Sequence, residues 1–296
     1  MSRRGTALFA ALSAIWGIPY LLIKVATSGV TPATLVFSRT ALGGLLLLPL
    51  ALARGEIRPA LARWRSVALY TLVELAVPWY LLASAEQRLS SSLSALVVAA
   101  VPIVGAVLAR TTGDRERLGP LRVAGLVIGL GGVAALVGFD VRTSELASVA
   151  ALLVVVVGYA LGPWIFHHQL SDLPSLGVVV TSLLACALVY APVAALQAPR
   201  SLPPAKVLLS LAGLGVVCTA TAFVAFFALI SEVGPSRATV VTYVNPAIAV
   251  LLGVAILGER FTAATAAGFV LILVGSVLAT RAPERGAGAA VDAAAP

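Results

Sequence analysis

Long apolar runs alternate with short polar breaks along almost the whole chain, and none shows the two-residue alternation of a half-buried strand. Runs near the ~20 residues a helix needs to cross a bilayer fall at Thr6 to Ala26, Pro32 to Ala53, Arg65 to Ala85, Ser91 to Arg110 and Gly119 to Gly138. A second five fall at Ala147 to His167, Ser175 to Leu196, Lys206 to Ser231, Ser236 to Leu257 and Thr262 to Thr280. Backbone amides cannot go unpaired in hydrocarbon, and a barrel would need shorter, alternating segments. The pattern therefore predicts an all-α integral membrane protein of ten transmembrane helices. The first run follows Arg3-Arg4 but exceeds the apolar core of a secretory signal and lacks a small-residue cleavage site, so it reads as a retained helix. Residues 281–296 are rich in Ala and Gly without periodicity and read as a disordered cytoplasmic tail.

Composition agrees: 60% of residues are hydrophobic and 11% charged, which leaves too much apolar surface for a water-soluble fold to hide. The net charge of +8 would suit nucleic acid, so the placement of the cations decides. With the N-terminus inside, the cytoplasmic segments hold thirteen: Arg3, Arg4, Arg54, Arg58, Arg63, Arg65, Arg110, Arg115, Arg117, Arg122, Arg237, Arg281 and Arg285. The other side holds six, Lys24, Arg88, Arg142, Arg200, Lys206 and Arg260. This asymmetry places both termini in the cytoplasm of a multi-pass protein of the bacterial inner membrane and leaves no basic surface for nucleic acid. Cys186 and Cys218 lie inside spans and read as small buried hydrophobes, and adjacent His167 and His168 cannot share a helical face. No metal site or cofactor is expected. No phosphate-binding loop, nucleophile elbow or zinc-protease motif occurs, so neither an ATP-driven pump nor an enzyme is supported.

The chain also matches itself. A shift of 144 residues lays Pro19 on Pro163, Ser38 on Ser182, Ala41 on Ala185 and Pro102 on Pro246. A shift of 143 continues with Glu116-Arg117 on Glu259-Arg260, Ala124-Gly125 on Ala267-Gly268 and Gly132 on Gly275. Two copies are predicted, at residues 6–138 and 145–280. Five helices per copy is an odd number, so the second copy enters the membrane upside down relative to the first. Inverted halves that exchange conformations convert an inward-open state to an outward-open one, which is the architecture of a secondary transporter.

The stretches Ile15-Trp16-Gly17-Ile18-Pro19-Tyr20, Val101-Pro102, Glu116-Arg117-Leu118, Asn245-Pro246 and Leu257-Gly258-Glu259-Arg260-Phe261 give each half a resemblance to the EamA-type repeat of the drug/metabolite transporter superfamily. Thr111 to Arg115 interrupts the Gly-Glu-Arg pattern in the first half. The resemblance implies ten helices around a central cavity, and export or exchange of small organic molecules such as amino acids, nucleosides, sugars or drug-like compounds.

Glu74 is the one acid deep in a span, about nine residues into its run or ~14 Å along the helix, near the midplane of a ~30 Å core. It either binds a cationic group or coupling proton, or is a protonated structural residue. Arg39, the one cation well inside a span, either snorkels or points inward to Glu74 or to a substrate carboxylate. Trp16, Trp79, Tyr80, Tyr159, Trp164 and Tyr243 are candidate cavity aromatics, with packing or an interfacial belt as the alternative. Trp64 reads as a belt residue. Pro246 frees a carbonyl one turn back, which Asn245 can satisfy unless it faces a ligand. Pro19, Pro102 and Pro163 would kink their helices in the same way. The runs Gly125, Gly129, Gly132 and Gly268, Gly275 permit close helix packing. The expected partners are a small-molecule substrate and the bilayer, with proton coupling as one option, and the pattern leaves monomer and homodimer open. A sensor or assembly subunit, or an intramembrane enzyme, are the competing readings; neither a signalling domain nor a catalytic cluster is present to support them.

Overall fold

The computed structural model describes residues 2–111, 120–140, 142–234, 238 and 241–280. In chain order the helices are α1 (Arg3–Ala26), α2 (Pro32–Ala53), α3 (Trp64–Glu86), α4 (Ser91–Val98 continued by Val101–Thr111) and α5 (Pro120–Asp140). They are followed by α6 (Thr143–Leu170), α7 (Ser175–Leu196), α8 (Ala205–Val233), α9 (Val241–Leu257) and α10 (Ala263–Thr280). Among the described residues α1 to α4 and α6 to α8 are long and apolar enough to cross a membrane, and the other three are shorter apolar helices. Glu116-Arg117, Arg237 and the tail after Thr280 lie outside the described residues.

Hydroxyl caps set several helix starts. Thr31 Oγ1 accepts from Thr34 N, Ser90 Oγ from Leu93 N and Thr262 Oγ1 from Thr265 N, each supplying an orphan first-turn amide with its acceptor. Pro32 adds a first-position proline whose missing N–H costs nothing there. Two prolines break their helices: α1 is interrupted at Ile18 just before Pro19, and α4 at Ala99 and Ala100 ahead of Pro102. Pro163 and Pro246 instead lie within continuous helix.

Three helices widen into π-helical turns, at Thr71–Ala76 in α3, Phe166–Leu170 in α6 and Gly213–Thr221 in α8. The 144-residue shift lays the α3 turn inside the α8 turn, so both copies carry the same local distortion. Side chains take up carbonyls within them: Tyr190 donates to Ala76 O at 2.9 Å and Thr219 to Leu214 O at 2.8 Å.

The contacts between halves are symmetric. Helix α2 packs on α7, α4 on α9 and α5 on α10, each pair mapping onto itself when the copies are exchanged. Contacts of α1 with α9 and α8 mirror those of α6 with α4 and α3, and α2 on α8 mirrors α7 on α3. The result is a ten-helix membrane fold of two inverted repeats about a pseudo-two-fold axis. Small residues allow its tightest approach, since a methyl group added at Gly275 would run into the backbone of Gly129 and Gly125. Broad apolar surface remains outside, with Leu188, Leu196, Val127 and Leu251 all exposed, as expected where lipid replaces water.

Candidate functional site

Helix α2 reaches α8 and α7 through Gly43 and Gly44, where an added methyl would meet Thr219 and Leu184. That approach seats Arg39, one turn earlier, between the halves. Arg39 is 7% exposed, so it points inward and does not snorkel. Its Nε donates to Thr219 Oγ1 at 2.9 Å, and its guanidinium carbon lies 3.7 Å from the centre of the Trp79 ring. An indole face and a hydroxyl are a cation's substitutes for water. Tyr159, Tyr20, Cys218 and Cys186 lie within electrostatic reach around it. Among the described residues no carboxylate comes within ion-pair distance of Arg39, and it is not paired with Glu74. Its terminal nitrogens have no acceptor there.

Glu74 sits in the π-helical turn of α3 and is half-buried. Its Oε2 is sealed and without a hydrogen-bond partner, and the carboxylate lies against Gly162 of α6, where a side chain would have no room. Tyr159 of α6 is within electrostatic reach of both Arg39 and Glu74, and its hydroxyl is beside the Trp79 indole. Buried unmatched charges are costly in a membrane interior and are retained where they meet a ligand, an ion or a cavity.

A further acid joins this region from the end of α3. Glu86 is fully buried with neither carboxylate oxygen bonded, and Lys24 of α1 donates to the carbonyls of Glu86 and Leu89 at 2.6 and 2.7 Å. Sequence reasoning assigned Glu86 to a loop because it opens the polar break before α4. The chain turns so tightly there that the side chain folds back into the bundle. Trp79 and Tyr159 were among the candidate aromatics, whereas Thr219 went unselected, because a threonine in an apolar run carries no pattern that distinguishes it from a packing residue.

The remaining candidates are placed elsewhere. Trp16 packs against Phe226, tilted by 51° with ring centres 5.0 Å apart, in a cluster with Leu12, Leu229 and Val241, away from Arg39's neighbours. Tyr80 is 38% exposed and stacks on Tyr190 at 5.8 Å. Trp164 stacks on His168 at 4.4 Å with its Nε1 sealed and unpartnered. Tyr243 is half-buried on α9. Asn245 directs its side-chain amide nitrogen to Val241 O at 2.9 Å and Ser13 O at 3.2 Å, bridging α9 to α1; the carbonyl that Pro246 frees is instead that of Thr242. Trp64 is exposed with the Arg65 guanidinium 5.5 Å from its ring. Cys186 and Cys218 are free thiols and buried. Among the described residues no group of His, Cys, Asp or Glu side chains is arranged to hold a metal.

Two connections tie the halves at opposite ends. Arg63 grips Asp172 with two bonds of 2.7 Å and reaches Gln169 O at 3.0 Å, joining the α2–α3 connection to the α6–α7 connection. At the other end Glu259 accepts from Ser91 N at 2.6 Å and Ser92 N at 2.9 Å, and so holds the start of α4 from the α9–α10 connection.

The EamA-like transporter family matches residues 3–138 and 146–281, one repeat in each half. The chain belongs to that family. It is 30% identical over 259 residues to the uncharacterized inner membrane transporter YedA of Escherichia coli strain K12, covering 86% of this chain and 83% of the relative. A WAT1-related chloroplastic protein of Arabidopsis thaliana is 30% identical over 119 residues, 40% of this chain and 28% of that one. A protein of known crystal structure shares the fold, with a TM-score of 0.68 at 23% identity, over 93% of this chain and 96% of the other. As an EamA-like protein the chain is a transmembrane transporter, and its relative's site of action is the inner membrane.

Proposed function

We propose that this EamA-like protein is a secondary transporter, an exporter or exchanger of small organic metabolites, whose substrate carries a carboxylate that binds Arg39. The observation that supports this is the arrangement of Arg39 itself. Trp79 holds one face and Thr219 takes Nε, which leaves the two terminal nitrogens as a fork of the kind that grips carboxylates. Glu74, within electrostatic reach of Tyr159, is the proposed group for a coupling proton or a substrate cation. Alternating access between the repeats, with both termini cytoplasmic, would release the Arg63–Asp172 tie and the Glu259 tie in turn.

The test is counterflow in proteoliposomes with a panel of amino acids, other carboxylates and neutral analogues. Carboxylate-bearing solutes should exchange. Arg39→Gln should raise KM for them by about tenfold or more, since hydrogen bonds to charged groups contribute about 1.5–3 kcal/mol, with a smaller effect on neutral solutes. Equal KM values for Arg39→Gln and the parent on every solute would defeat the assignment. Glu74→Gln should abolish any dependence of the exchange rate on a proton gradient.

A further inference from the structure

One end of the bundle carries a feature that transport does not use. A cavity of about 500 Å³ lies among the α3–α4, α5–α6 and α9–α10 connections, and its lining includes Arg88, Arg142, Arg260, Ser92 and Glu145. The three arginines come from three separate connections and from both repeats. None of them forms an ion pair among the described residues. The one carboxylate in the lining, Glu145, turns back to accept from Arg142 N at 3.0 Å. Nearby Glu259 is engaged by the amides of Ser91 and Ser92 and by the Ser92 hydroxyl at 2.5 Å. Three arginines therefore line one cavity, and of the nearby acids Glu145 and Glu259 are each bonded to backbone amides while Glu86 is fully buried.

We propose that this cavity binds a phosphate-bearing anion, gripped by Arg88, Arg142 and Arg260. A carboxylate offers two oxygens and one charge, which fills a single guanidinium fork. A phosphoryl group offers three or more acceptor oxygens and greater charge, and so can meet arginines arriving from three directions. The volume exceeds what a halide would fill. The site lies at the end of the bundle, where two sources supply this chemistry: a phospholipid headgroup at the membrane surface, and a soluble phosphate in the adjoining water. Because Arg260 follows Glu259, and Ser92 both lines the cavity and binds Glu259, the bound anion would reinforce the tie between α4 and the α9–α10 connection.

The experiment is a thermal-unfolding titration of the full-length purified protein at matched ionic strength. One arm adds sodium phosphate or pyrophosphate in detergent, against sodium chloride. The other compares nanodiscs of phosphatidylglycerol with nanodiscs of phosphatidylcholine. The parent should be stabilised in at least one arm, and the R88Q/R142Q/R260Q variant should lose that gain. Each single variant should weaken the apparent affinity by roughly two- to fivefold, the range for exposed charge pairs. A gain with soluble phosphate identifies a soluble ligand, and a gain confined to phosphatidylglycerol identifies the lipid headgroup. Equal responses of the parent and the triple variant in both arms would overturn the site. Should the triple variant fail to fold, R142Q alone gives the same comparison, since its side chain is exposed at the start of α6.

Discussion

The Arg39 guanidinium lies 3.7 Å from the centre of the Trp79 ring, a cation of α2 resting on an aromatic face of α3 in the interior of a membrane protein. A desolvated contact of this kind is worth about 2 kcal/mol. Trp79→Phe should keep most of it and Trp79→Leu should lose it, lowering the unfolding midpoint and raising KM for carboxylate solutes by about tenfold or more. Measured KM values that are the same for the Phe and Leu variants would show that the ring positions nothing.

Glu74 and Gly162 make a second test. A methyl at residue 162 would occupy the space of the Glu74 carboxylate, so Gly162→Ala should cost about 1–3 kcal/mol, as overpacking does. Truncating the acid to alanine removes the two nearest contacts and leaves only its Cβ, at 2.9 Å, so the double variant Glu74→Ala with Gly162→Ala should be more stable than the sum of the single effects by about 1 kcal/mol or more. Additive unfolding free energies in a double-mutant cycle would place the two groups apart.

How much of this was legible beforehand follows from the kinds of residue involved. The spans and the duplication were readable because lipid requires long apolar helices and because Pro19 and Pro102 recur at a shift of 144, and Glu116 and Gly132 at 143. Arg39 and Glu74 stood out as charges inside apolar runs, but whether they met each other was not a question of pattern. Helix packing decides it, and no residue type announces the π-helical turn that carries Glu74. Glu86 was misplaced for a related reason: a charged residue at a helix end looks solvated until the turn after it is known. Asn245 shows the same limit: the proline after it frees the carbonyl of Thr242, whereas its amide meets Val241 O and Ser13 O, a choice that packing makes.

Arg63 and Asp172 bond bidentately at 2.7 Å, yet their side chains are 47% and 57% exposed. Exposure limits such a pair to about 0–1 kcal/mol, so Arg63→Ala and Asp172→Ala should each leave the unfolding midpoint nearly unchanged at physiological salt. Its effect should fall on transport kinetics. A pair that ties one mouth shut slows its opening, so either variant should accelerate exchange, and the charge-swapped double variant should restore the parental rate. Rates that ignore both single variants would mean that this end opens without breaking the pair.

Glu259 should behave differently, because its carboxylate meets backbone amides at the first turn of α4 instead of a flexible side chain. Those amides have no partner within the helix, and the positive end of the helix dipole favours an anion beside them. Gly258 makes the approach possible: with φ of 66° it turns the chain out of α9 in a conformation that other residues adopt only under strain, and so aims residue 259 across to the other repeat. Glu259→Ala should cost about 1–2 kcal/mol, the scale of a lost helix cap plus its charge, and Glu259→Gln about half as much because an acceptor oxygen remains. Loss of the tie should also expose the start of α4. Ser91 is buried in this state, so a Ser91→Cys reporter should react slowly with a membrane-impermeant maleimide and several times faster when Glu259→Ala is added. Unchanged labelling with lowered stability would reduce Glu259 to a cap. Faster labelling with preserved exchange activity would establish it as the tie that releases when this end of the transporter opens.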